Sequence, residues 1–212
     1  MNIVIKNLND EIITLEQAKL IKYFEKQFFD NGELKKIEYY FGTKISLSYF
    51  LLPPENINII LNSLYQNYDQ ITFYFNKQLL NNFTVFEWEI YKGLIKKSKG
   101  KIVEDSSNRL IAHQEIDMLT SLVKTTNKFY YLQNLGPFSN IEPVLNNGRF
   151  EFNYNEANVA SGISIGIDLP GFEDEEYYIE NNTAEVFSNW MIAAVFDWTS
   201  LPYYHSSLPL IP

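Results

Sequence analysis

The stretch FFDNGEL, residues 28–34, decides the fold class of this chain. Asn31-Gly32 stands between two apolar runs, which is the strongest short-range signal for a β-hairpin. Leu34–Phe41 is then the returning strand, and Gly42–Lys44 is the next turn. Apolar and polar residues alternate over Ile45–Leu51, the period of a half-buried strand. The first half of the chain therefore predicts a β-meander.

Two windows have the three- and four-residue apolar spacing of a helix. The first is Glu55–Tyr68, where Pro54 suits the first turn, and the second is Thr183–Val195. Residues 15–29 are compatible with either a helix or a strand. We therefore predict an α+β fold, predominantly antiparallel β-sheet with two or three helices packed against it.

The remaining strand candidates follow along the chain and suggest its organisation. They are Ile71–Phe75, Phe83–Ile90, Lys101–Glu104, Leu110–Ile116, Lys128–Leu132, Arg149–Tyr154, Ile163–Leu169 and Tyr177–Ile179. Residues 133–148, rich in Pro, Gly and Asn, predict a loop or boundary. We expect it to separate a meander and helix region, 1–132, from an acidic region, 149–212, within one compact domain. The tail Leu201–Pro212, with three prolines, is expected to be extended.

Charge is divided unevenly between the two halves. Residues 1–110 hold 14 Lys and Arg against 13 Asp and Glu, whereas residues 111–212 hold 3 against 13. A negatively charged surface attracts basic proteins and repels nucleic acid and anionic membranes. The lysine-rich stretch Tyr91–Lys101 is the exception, and we interpret it as a solubilising hairpin loop. We therefore expect a basic protein as the partner, and neither nucleic acid nor a membrane.

The chain contains no cysteine, which excludes disulfides, thiolate nucleophiles and Cys-based metal sites. Its N-terminus lacks the features of a signal peptide, and its most apolar late stretch, Trp190–Phe196, is too short to span a bilayer. These features predict a cytoplasmic protein. No motif in the sequence predicts a cofactor or a metal ion.

One constellation could carry hydrolytic chemistry. Glu87 and Glu89 share one strand face, as do His113, Glu115 and Asp117 on another strand. If those strands were neighbours, five acid–base or metal-competent groups would converge. Alternating polar residues are equally typical of the solvated face of a half-buried sheet, and we favour that interpretation.

A second constellation suits protein binding. Acids and aromatics mix within residues 172–180, in the acidic half of the chain. Acids steer a basic partner, and aromatic side chains supply contact area at the centre of an interface. The candidate partner-binding residues are Phe172, Glu173, Asp174, Glu175, Glu176, Tyr177, Tyr178 and Glu180.

The stretch Phe29–Lys44, FDNGELKKIEYYFGTK, resembles aromatic hairpins that recur in small bacterial proteins, some of them similar to immunity proteins of polymorphic toxin systems. The resemblance implies an acidic, cysteine-free cytosolic binding protein, and it assigns no functional residue. Our leading expectation is a non-enzymatic protein that occludes a basic partner, with a toxin as the candidate. The alternatives are a metal-dependent hydrolase and a phage or mobile-element protein that mimics nucleic-acid charge.

Overall fold

The computed structural model describes residues 1–131, 148–154, 160–167, 175–180 and 201–212. The strands are β1 Asn2–Asn7, β2 Tyr23–Asp30, β3 Glu33–Phe41, β4 Lys44–Phe50, β5 Gln70–Leu80, β6 Phe83–Lys92, β7 Ile95–Glu104, β8 Leu110–Ile116, β9 Val123–Tyr130, β10 Gly148–Tyr154, β11 Ala160–Ile167 and β12 Glu175–Glu180. The helices are α1 Leu15–Ala18, α2 Ile57–Leu64 and a 3₁₀-helix Pro202–His205. The described residues thus form a sheet-dominated α+β fold, whose hydrogen-bonded strands follow one another in chain order from β1 to β12.

The chain divides into two compact units. Unit 1 comprises Met1–Lys77 and Phe86–Lys99, and unit 2 comprises Gln78–Val85 and Gly100–Pro212. Within the described residues, no helix is long and apolar enough to cross a membrane. The predicted boundary at residues 133–148 falls almost entirely outside the described residues, so that division of the chain stays a prediction.

The hairpin around Asn31-Gly32 forms as predicted. Both residues have positive φ, 50° and 85°, as a two-residue type I′ turn requires. The turn joins β2 to β3 with Asp30 opposite Glu33, and β3 continues antiparallel to β4. The ambiguous stretch 15–29 resolves into both alternatives, because α1 occupies its start and β2 its end.

One connection in unit 1 departs from a meander. β4 pairs with β5 in parallel, and α2 lies between them in the chain. A parallel pair needs a crossover rather than a tight turn, and a helix is its usual form. Leu61 of α2 belongs to a buried cluster with Leu47, Ile71 and Phe73.

The helix that forms this crossover is shorter than the predicted Glu55–Tyr68. Asn56 is its N-cap, where the side chain accepts a hydrogen bond from the Asn58 backbone N–H. The expected role of Pro54 in the first turn is therefore wrong, because an Asn side chain caps the helix two residues later.

In unit 2, β8 to β12 pair antiparallel in succession. Val103, Ile111 and Ala112 form the buried cluster. Three residues of the C-terminal tail, Tyr203, Leu210 and Ile211, pack against this cluster.

Two further sequence predictions need correction, one strand was missed, and one predicted helix falls outside the described residues. β1 was not predicted. Lysines 96–101 lie in β7 and not in a loop, because Gly93-Leu94 alone form the turn after β6. The tail is not simply extended, since Pro202–His205 is a 3₁₀-helix in which Tyr204 is buried. The predicted helix Thr183–Val195 lies outside the described residues.

Candidate functional site

Glu87 and Glu89 both lie on β6 in unit 1, and each carboxylate is engaged. Asn76 Nδ2 donates to Glu87 at 2.9 Å. Glu89 accepts from Lys96 Nζ at 2.6 Å and from the Tyr91 hydroxyl at 2.7 Å. Burial and this carboxylate raise the pKa of Tyr91. The contacts of Glu89 cross-link β6 and β7, which is a structural role.

The second half of the predicted constellation lies in unit 2. His113 and Glu115 are on β8, and burial lowers the pKa of His113. Glu115 accepts from Lys124 Nζ of β9 at 3.1 Å. Asp117 accepts from the Thr120 backbone N–H at 2.7 Å and from its hydroxyl at 2.9 Å, which closes the turn from β8 to β9. These hydrogen bonds lower the pKa of Asp117.

The strand pairing that the hydrolase interpretation requires does not occur. β7 stands between β6 and β8 in the strand order. Across the described parts of the chain, no group of three or more His, Asp or Glu side chains is placed to hold a metal ion. Glu87 and Glu89 lie in unit 1 and His113, Glu115 and Asp117 lie in unit 2, so neither unit by itself contains all five predicted residues.

The acidic constellation is described in part, by its backbone. Phe172, Glu173 and Asp174 lie outside the described residues, while Glu175–Glu180 form β12, which pairs with β11 and ends the strand order. Alternation places Glu176, Tyr178 and Glu180 on one face, opposite Gly166, Ser164 and Gly162. The other face pairs Glu175, Tyr177 and Ile179 with Ile167, Ile165 and Ile163. The register thus separates a face of small cross-strand neighbours from an apolar one.

The sequence analysis missed a buried lysine in unit 2. Lys128 on β9 has 0% of its surface exposed. Its Nζ donates to the backbone carbonyl of Tyr203 at 2.6 Å and lies 3.8 Å from the centre of the Tyr203 ring. Within the described residues, no carboxylate forms an ion pair with it. Burial lowers the pKa of Lys128 to about 7.

A buried carboxylate in unit 1 was missed as well. Glu38 on β3 accepts from Lys36 Nζ at 2.8 Å, from the Tyr40 hydroxyl at 2.8 Å and from the Tyr68 hydroxyl at 2.7 Å. Burial alone would raise the pKa of Glu38, but these hydrogen bonds outweigh it and leave the pKa lowered. The arrangement stabilises a permanent charge and is structural.

The local sequence does not identify Glu38 and Lys128 as buried. Lys128 stands between Asn127 and Phe129 in a strand candidate, and β-strand alternation alone does not say which face is buried. Glu38 lies between Ile37 and Tyr39, where the same ambiguity holds. Only the partners Tyr203 and Tyr68, distant in sequence, reveal the two sites.

No protein-family model, no curated protein and no solved structure matches this chain. A proposal about its function therefore depends on the charges, the register and the contacts described above.

Proposed function

We propose that this chain is a cytoplasmic, non-enzymatic binding protein that presents an acidic face to a basic protein partner. The partner is a toxin, and the chain acts in the manner of an immunity protein by occluding the toxin's active site. Carboxylates around Glu173–Glu180 would pair with Lys and Arg of the partner. Phe172, Tyr177 and Tyr178 would supply aromatic contact area, with Tyr178 on the face of Glu176 and Glu180 and Tyr177 on the opposite face of the strand. The fold that carries this face would be the predicted sheet with helices packed against it.

The register of β12 is the observation that supports this proposal most. Glu176, Tyr178 and Glu180 share one face of a strand that ends the strand order, and their cross-strand neighbours are two glycines and a serine. The excess of ten acids over bases in residues 111–212 adds a long-range attraction for a cationic protein.

For the two alternatives, the described residues offer less support. Glu89 and Glu115 each form an ion pair with a lysine, and the strands that carry the five groups of the hydrolase hypothesis are not neighbours in the strand order. A charge mimic requires regularly spaced carboxylates along one edge, and β12 interrupts its acids with Tyr177, Tyr178 and Ile179.

The test uses the full chain and the protein encoded immediately upstream of it, produced as an inactive variant. We expect a 1:1 complex whose association rate falls with salt, because the attraction is screened. Neutralising the acids by Glu173→Gln, Asp174→Asn, Glu175→Gln and Glu176→Gln should slow association by roughly one to two decades at low salt. Stopped-flow fluorescence at two ionic strengths measures both effects.

A matched control changes net charge by the same amount elsewhere. Glu11→Gln, Glu16→Gln, Asp30→Asn and Glu33→Gln remove four exposed acids from the first half of the chain. Association should slow much less in this control. Equal slowing in both variants would reduce the effect to net charge alone, and an unchanged rate in the β12 variant would refute the proposed face.

A further inference from the structure

The C-terminal tail is fastened to unit 2 by side chains from three strands. Residues 201–212, here called the strap, contain Tyr203, whose carbonyl accepts from Lys128 of β9. The Tyr204 hydroxyl donates to the Phe129 carbonyl of the same strand at 3.2 Å, and its ring lies 4.7 Å from that of Phe150 on β10. Leu210 and Ile211 pack against the buried cluster of Val103, Ile111 and Ala112.

The strap is also organised internally. The Tyr203 hydroxyl donates to the Leu210 carbonyl at 2.6 Å, and Ser206 Oγ donates to the Leu208 carbonyl at 2.6 Å. Two bonds within twelve residues hold the segment in one shape. The lysine that holds this segment, among the contacts described, is Lys128.

We propose that the strap closes over the face formed by β8, β9 and β10 while Lys128 is neutral, and that protonation of Lys128 opens it.

The chemistry of a buried amine supplies the reason. A protonated lysine carries three N–H donors, and among the described residues Lys128 meets one acceptor, the Tyr203 carbonyl. The Tyr203 ring at 3.8 Å and the Phe152 ring at 5.6 Å favour the cation weakly by comparison with water. Opening the strap lets water hydrate the charged ammonium. The neutral amine gains little hydration free energy on opening, so it stays buried at low cost.

The tyrosines near Lys128 do not account for such a response between pH 6 and 9. On its own face, β9 contributes Tyr130 and β10 contributes Tyr154, while β8 contributes Ala112 and Gln114. The strap contributes Tyr203, Tyr204 and His205, and Arg109 with Tyr131 lies near Tyr204. Burial raises the pKa of Tyr130, Tyr131, Tyr203 and Tyr204, which keeps those tyrosines neutral. His205 remains as the competing switch, and a His205→Gln variant separates it.

The expected pH response follows from linkage. The pKa of Lys128 is lowered to about 7 in the closed strap and returns to its ordinary 10.5 in the open one. The open form then binds the extra proton, so the equilibrium constant for opening rises about tenfold for each pH unit from pH 9 down to pH 7. Below pH 7 the constant levels off.

Because the chain has no cysteine, one engineered thiol can report opening. Val103→Cys places it in the fully buried cluster under the strap, and Ile71→Cys places a control in the core of unit 1. Each labelling rate with a thiol reagent is divided by that of a cysteine peptide at the same pH, which removes the ionisation of the thiol itself. We expect the ratio for Val103→Cys to rise about tenfold per pH unit from pH 9 to pH 7 and to exceed at every pH the ratio for Ile71→Cys, which reports unfolding alone.

Lys128→Met, with Lys128→Leu as a second choice, should abolish the response at Val103→Cys. A constant ratio at Val103→Cys with Lys128 present would overturn the proposal and needs no variant at position 128. Equal labelling ratios at both thiols at every pH would show global unfolding in place of strap opening. A response that survives Lys128→Met and disappears in His205→Gln would assign the switch to the histidine.

Discussion

Glu38 in unit 1 accepts three hydrogen bonds at its carboxylate, whereas Lys128 in unit 2 donates one to a backbone carbonyl. Both side chains are buried, at 9% and 0% exposure. The pKa of Glu38 shifts towards the charged form and that of Lys128 towards the neutral form. Partners, and not burial alone, therefore decide whether this protein keeps a buried charge.

The largest change in the free energy of unfolding is expected for Lys128→Met. The unfolded chain holds the lysine proton up to pH 10.5, but the folded chain releases it near pH 7, so the free energy of unfolding rises with pH between these values. Methionine removes the buried amine, whose protonated form is disfavoured in the folded chain, and keeps a side chain of similar apolar volume. We expect the variant to be more stable by about 3 kcal/mol at pH 7 and about 1 kcal/mol at pH 9, after allowing for the lost hydrogen bond.

Urea unfolding followed by circular dichroism at pH 7, 8 and 9 measures this difference. The advantage of methionine should shrink steadily as pH rises. A variant that is less stable than the original chain at pH 7 would mean that Lys128 is charged and well solvated in the folded state.

The opposite sign is expected for Glu38→Met, which removes the acceptor of three donors. Lys36 and two hydroxyls lose their partner, and the free energy of unfolding should fall by about 2 kcal/mol at pH 7. The pKa of Glu38 is lowered by folding, so its contribution is present above pH 4.5 and is lost as pH falls through the folded value. The difference in the free energy of unfolding between Glu38→Met and the original chain should therefore become small in acid. The corresponding difference for Lys128→Met should persist there. Denaturant curves at pH 7 and pH 3.5 test both points.

Most strands followed from residue patterns, because the Asn31-Gly32 turn and two-residue alternation are local signals. Three features did not. The parallel pairing of β4 with β5 depends on where α2 returns the chain. The 3₁₀-helix Pro202–His205 is formed by a tail that packs against distant strands, although its prolines suggested extension. Lys128 shows its burial only through Tyr203, 75 positions away.

The candidate sites were less accessible from sequence than the fold. Glu87 and Glu89 were correctly placed on one strand, yet their strand's neighbours could not be derived from their spacing. The lysines after Gly93 look like a loop because Lys has a low strand propensity, but Lys96 pairs with Glu89 and belongs to β7. Tertiary pairing overrode local propensity there.

A smaller loss of stability is expected when one hydrogen bond to Glu38 is removed. Tyr68→Phe deletes one of its three donors and leaves Lys36 and Tyr40 in place. We expect a loss of about 1 kcal/mol, since a hydrogen bond to a charged group contributes roughly this much or slightly more. The pKa of Glu38 should rise in the same variant, which carboxyl-carbon NMR titration detects. Tyr40→Phe is the matched control. If the pKa of Glu38 is unchanged in both variants, Lys36 alone lowers it.

The smallest effect is expected at Lys124, which shares strand β9 with Lys128. The side chain of Lys124 is 59% exposed and pairs with Glu115, whose side chain is 25% exposed, at 3.1 Å. An exposed ion pair contributes little, because water solvates both charges and salt screens them. Lys124→Met should change the free energy of unfolding by less than about 0.5 kcal/mol, with no trend from pH 7 to pH 9. Identical substitutions four residues apart would then differ by their surroundings alone. A pH trend in Lys124→Met equal to that in Lys128→Met would contradict the role assigned to burial, because removing any lysine from β9 would suffice.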